Sequence, residues 1–132
     1  MKIFIGWSGD KGKRIAELLQ DWIPTIFHRI EPRLSEADMA DGKWNEELVE
    51  DLWLITFGII CVEPSSLHSQ SLNFEAGALT GAIERKKIVT FLLGIDEEEV
   101  TGPLSHFNFV SFDKKSIKDM IFQINASSSK PI

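Results

Sequence analysis

The sequence predicts one α/β domain: a three-layer, doubly wound, five-stranded parallel sheet with helices on both faces, in the flavodoxin-like strand order 2-1-3-4-5. Three observations carry that expectation. Strand-like and helix-like segments alternate along the whole 132-residue chain. Two strand segments, Phe57 to Val62 and Ile88 to Leu93, are apolar throughout, the pattern of strands covered on both faces. Strands that alternate with helices cross over right-handedly and so lie parallel.

Lys2 to Gly6 is short, β-branched and aromatic, and it stops at the loop Gly6-Trp7-Ser8-Gly9-Asp10. From about Lys11 the period changes. Ile15, Leu18, Leu19, Trp22, Ile23, Ile26 and Phe27 recur at three- and four-residue spacing, which predicts a helix with one apolar side. Pro24 predicts a kink in it, or an early end near Ile23. A weaker strand follows over Arg29 to Leu34, where Pro32 argues for the sheet edge. The polar stretch Ser35 to Gly42 is expected to be a loop, and Trp44, Leu48, Leu52 and Ile55 stripe a second helix.

Phe57 to Val62 forms the central strand, and a loop from Glu63 to Gln70 leads to a helix over about Leu72 to Glu84. The fourth strand, Ile88 to Leu93, runs into the acidic loop Asp96 to Pro103, with room for one helical turn. Phe109 to Phe112 is the last strand, and Ser116 to Ile124 the closing helix. The domain is expected over residues 1–125, with 126–132 a frayed tail or the start of a linker.

Composition is that of an ordinary soluble protein, 43% hydrophobic and 26% charged. Fourteen basic against twenty acidic residues give a net charge of -6, which disfavours nucleic-acid binding. Apolar runs are too short to span a membrane. The strand pattern begins almost at Met1, leaving no room for a signal peptide, so the expected location is cytoplasmic. The lone Cys61 excludes an internal disulfide and a cysteine zinc site, and its apolar run predicts a buried bystander.

In this fold ligands sit at the carboxyl ends of the strands, where strand order reverses. That directs attention to Gly6 to Asp10 and to Glu63 to Glu75. Glu75 is the leading candidate, an acid among small and apolar residues where a helix begins. Two readings stand side by side: a carboxylate aimed into a cleft, or an acid favoured by the positive end of the helix. Trp7 could stack on a flat ring or cap the core, while Ser8 and the Gly9 N–H could meet a phosphate. Gly6-x-x-Gly9-x-x-Gly12 is not a dinucleotide fingerprint.

Gly77 and Gly81, four apart in one helix, suggest a close approach to the sheet or to a neighbouring chain, or a fit beneath bulky rings. Trp44 packs in the core or belongs to a lid. Asp38 and Asp41 are read as solvated. No spacing turns His28, His68 or His106 into a metal site, and Asp96 to Glu99 reads as a solvated acidic turn.

With these residues in place, the chain resembles a Toll/interleukin-1 receptor (TIR) domain of the bacterial type, from Ile3 to about Ile124. The resemblance rests on Phe4-Ile5-Gly6-Trp7-Ser8-Gly9, Leu34-Ser35-Glu36-Ala37-Asp38, Phe57 to Val62, and above all Ser69-Gln70-Ser71-Leu72-Asn73-Phe74-Glu75-Ala76-Gly77-Ala78-Leu79. It implies a catalytic role for Glu75 in splitting the nicotinamide–ribose bond of NAD+. The products would be nicotinamide with ADP-ribose, or a cyclic ADP-ribose messenger of antiphage defence. NAD+ is then substrate, and no cofactor or metal is called for.

The resemblance further implies that Trp7, Ser8 and Gly9 contact the nucleotide and that Ser35, Asp38 and Trp44 belong to a mobile loop gating the pocket. It implies a homo-oligomer and a fused or separate sensor or effector partner. Ser71 stands where bacterial relatives usually carry a tryptophan beside the site. The departure leaves open an altered product choice or a domain kept mainly for assembly. Two alternatives from other classes stand beside the NAD+-cleaving reading: a non-enzymatic self-associating TIR module, and a nucleoside-processing enzyme of similar shape.

Overall fold

Short β-branched and aromatic runs pair into one sheet in the computed structural model, which describes residues 2–34 and 54–128. The strands are β1 (Lys2–Trp7), β2 (Glu31–Leu34), β3 (Ile55–Val62), β4 (Ile88–Leu92) and β5 (Asn108–Ser111). Their order is β2-β1-β3-β4-β5, and every neighbouring pair is parallel. The predicted class and strand order are those observed. Pro32 lies on the edge strand β2, in register with Ile3, where a missing N–H leaves the rest of the sheet intact.

Among the described residues three helices flank the sheet: α1 (Asp10–Ile26), α2 (Gln70–Ala82) and α3 (Lys114–Ser127). The predicted helix at Trp44 and the loop before it lie outside the described residues, apart from Ile55, which the pattern places on the helix stripe and which instead opens β3, paired with Lys2. Side chains alternate across the sheet, so odd and even positions of β1 feed different layers. Ile3, Ile5 and Trp7 pack under α1 and α3 with Ala16, Leu19, Ile23, Met120 and Ile124. Phe4, Ile60 and Val62 pack under α2 with Leu72, Ala76 and Leu79.

Where helix limits differ from expectation, local physics accounts for it. α1 runs through Pro24 to Ile26. The proline removes one hydrogen bond within the last turns, while buried Ile23 and Phe27 hold the segment down and Phe27 N–H closes it onto Ile23 O at 2.9 Å. α2 starts at Gln70 because Ser69 caps it, its Oγ accepting from Leu72 N–H at 3.2 Å. α3 is longer than predicted at both ends. Asp113 Oδ1 accepts from Ser116 N–H at 2.8 Å, and that bond holds the Asp113 carboxyl below its ordinary value.

The apolar side of α1 is wider than the core uses. Gly12, Ala16, Leu19 and Ile23 are buried, but Leu18 and Trp22 remain 62% and 42% exposed. From β4 to β5 the chain crosses without an α-helix, through 3-10 turns at Glu97–Glu99 and Gly102–His106. Thr90 Oγ1 ties this strap to the sheet by donating to Leu104 O at 2.8 Å.

Cys61 is the buried bystander its surroundings predicted, and burial pushes its thiol up to about 12. Its neutral form is favoured in the fold, so that contribution to stability is complete below the ordinary value of 9.0 and disappears as pH rises through about 12. Native protein at pH 8 is therefore expected to resist iodoacetamide, with labelling in urea following the unfolding curve by mass spectrometry. Gly77 and Gly81 carry a second expectation. Among the described residues an added Cβ would meet nothing within 4 Å at either position, so neither the sheet nor a described ring requires them. Gly77→Ala and Gly81→Ala should each stabilise the chain by up to about 1 kcal/mol in urea titrations, through helix propensity alone.

Candidate functional site

β1 and β3 are neighbours at the centre of the sheet, with Trp7 in register with Cys61 at their carboxyl ends. There the chain leaves β1 toward α1 in one layer and β3 toward α2 in the other, which opens the crevice expected of doubly wound folds. Two glycines and two carboxylates meet at this point.

Glu75 lies in the second turn of α2, only 2% exposed. No acidic residue occupies the first turn, so the reading of Glu75 as a helix-start acid is overturned. The Ser69 cap starts the helix early, so Glu75 falls in its second turn, and helical spacing puts it on the side of Leu72, Ala76 and Leu79 that faces the sheet. Its carboxylate rests over the end of β1: a Cβ added to Gly6 would stand 3.0 Å from Glu75 Oε2 and 3.1 Å from Phe4 Cε1.

Glu63 is a second buried carboxylate, 6% exposed, immediately after β3. Its Oε1 accepts from Ser65 Oγ at 3.0 Å. Ser66 Oγ accepts from Glu63 N–H at 2.8 Å and donates to Glu63 O at 3.0 Å, locking the turn. Across the crevice stands Gly9, the N-cap of α1, at φ +87°. A Cβ there would collide with the Glu63 carboxylate. The acid thus sits against the start of α1, whose unpaired N–H groups favour negative charge. Glu63 is a candidate that sequence reasoning missed. Its signal was available: an acid directly following the central strand at the switch point, fixed by Pro64.

The other candidates divide. Gly6 and Gly9 are brought to the two carboxylates, and half-buried Ser8 lies between them. Trp7 points the other way. It is buried in the α1 layer, its Cβ lies 3.5 Å from where a Cβ on Gly12 would be, and Lys13 Nζ sits 5.9 Å from its ring centroid. The indole is thus part of the core on the opposite face from Glu75. Ser71 falls in the first turn of α2. Ser35, Asp38 and Trp44 lie outside the described residues. His28, His68 and His106 are exposed and remote in sequence from one another. Among the described residues no group of three His, Cys, Asp or Glu side chains could hold a metal ion, and no helix is long and apolar enough to cross a membrane.

No protein-family model matches the chain, and no curated protein sequence does. Solved structures do match. A metazoan TIR-STING receptor from C. gigas superposes with a TM-score of 0.59 at 20% identity, over 98% of this chain and 40% of that one. The SEFIR domain of IL-17 receptor B superposes with a TM-score of 0.57 at 15% identity, over 97% of each chain. The fold is TIR/SEFIR-like. At these identities the likeness is one of fold, and it does not single out the bacterial-type TIR domain of the sequence resemblance. The chain spans 40% of the length of the TIR-STING receptor.

The crowding at Gly6 can be tested directly. Gly6→Ala should cost about 1–3 kcal/mol, because its methyl group overpacks against Glu75 and Phe4. Gly12→Ala meets only ordinary contacts, 3.5 Å and 3.9 Å, and should be neutral or stabilising. Urea midpoints of the two variants make the comparison.

Proposed function

We propose that this chain is a non-enzymatic signalling domain that works by self-association and by pairing with other domains of its fold. The observation that carries this reading is the likeness of fold over nearly the whole of a receptor's SEFIR domain. The match to 40% of a TIR-STING receptor supports a role beside a fused or separate sensor or effector. Large apolar side chains stand in solvent on all three helices, among them Leu18, Phe74 and Phe122, as an associating surface requires. Sedimentation velocity across a concentration series should give a rising weight-average mass. A protein that stays monomeric to millimolar concentration in low salt overturns the proposal.

One observation favours a second reading, NAD+ nucleosidase or cyclase activity: Glu75 is held against Gly6 at the carboxyl end of the sheet. Cleavage of the nicotinamide–ribose bond develops positive charge on the ribose, which a nearby carboxylate stabilises. Nicotinamide leaves as a neutral base, and water or the adenine ring captures the ribosyl carbon. At 2% exposure Glu75 is sealed from a substrate, so in this reading association must open the crevice. Assembled protein should then release nicotinamide from NAD+, and Glu75→Gln should lower the rate by about 100-fold or more. Assembled protein that releases none leaves the signalling reading alone.

A further inference from the structure

We propose that the outer face of α1 docks into a groove beside α2 on a second copy of the chain, joining copies in an open row. The proposal rests on the self-association reading and names the two surfaces that meet. Leu18 and Trp22 lie one helical turn apart on α1, 62% and 42% exposed, outside the stripe that the core uses. Glu17 and Asp21, also one turn apart and exposed, run alongside them. This face is therefore apolar with an acidic edge.

The groove has the opposite character. It occupies about 310 Å³ and is lined by Thr80, Arg85, Gly102, Pro103, His106 and Phe107. Phe107 and Pro103 make it apolar, while exposed Arg85 and His106 give it a basic edge. Its volume has room for an indole. With Trp22 and Leu18 against Phe107 and Pro103, the carboxylates of Glu17 and Asp21 come opposite the guanidinium and imidazole. Tryptophan and arginine are the residues on which interface energy concentrates. The net charge of -6 opposes contact between copies elsewhere, so local pairing of opposite charge selects this one.

The two surfaces belong to opposite layers of the same chain, since α1 packs in one layer and Phe107 in the other with α2. A single copy cannot present both to one partner about a twofold axis. The contact is heterologous and leaves a free face at each end of the row.

Sedimentation velocity of the full chain at low salt tests the pairing, with thermal melts confirming that each variant folds. Trp22→Ala and Arg85→Glu are each expected to raise the dissociation constant about tenfold or more. The Glu17→Arg/Asp21→Arg double variant should do the same. Mixing Arg85→Glu protein with the Glu17→Arg/Asp21→Arg protein should restore association, because both junctions again join opposite charges. Variants that associate like wild type, or a mixture that restores nothing, overturn this pairing while self-association stands. Wild-type protein that never associates removes the underlying reading and this inference together.

Discussion

The end of β1 is where two carboxylates enter the protein interior, and the absence of side chains there permits it. Gly6 leaves the space into which the Glu75 carboxylate settles, and Gly9 leaves the space for that of Glu63. Burying a carboxylate is costly without compensating polar or charged groups, so such groups are rarely placed by core packing alone. For Glu63 the compensation is visible: the Ser65 hydroxyl and the opening turn of α1. Both contacts lie where the chain leaves β1 and β3 for α1 and α2.

The same arrangement explains why fold and chemistry give different answers here. A carboxylate at the switch point of a doubly wound sheet stands where ligands bind in many α/β proteins. Yet Glu75 is covered, and Trp7 turns its ring into the opposite layer. What the described residues expose is apolar surface on the helices, at Leu18, Trp22, Phe74 and Phe122. Fold alone is compatible with several functions, so the balance rests on what each surface can touch.

That balance favours contact between domains. α1 carries a broader apolar stripe than its sheet face covers, and the strap between β4 and β5 leaves an open groove beside α2 where a packed helix would close it. At Gly77 and Gly81 an added Cβ would meet no atom of the described residues within 4 Å.

Periodicity made the architecture legible. The apolar runs at Phe57 to Val62 and Ile88 to Leu93 marked the covered central strands, and Pro32 marked the edge, because these signals depend on neighbours within a few residues. Helix limits were less legible, since the side chains of Ser69 and Asp113 start their helices through one or two local hydrogen bonds that outweigh the apolar pattern. The sequence also singled out Glu75 and the β1 loop, by residue type and place in the topology. Only the tertiary structure decided that Glu75 is buried against Gly6, that Glu63 stands beside Gly9, and that Leu18 and Trp22 stay in solvent. Those outcomes follow from which helix lies over which strand, a matter of contacts between segments more than fifty residues apart, as between Gly9 and Glu63. Local spacing along a chain carries no record of such distances.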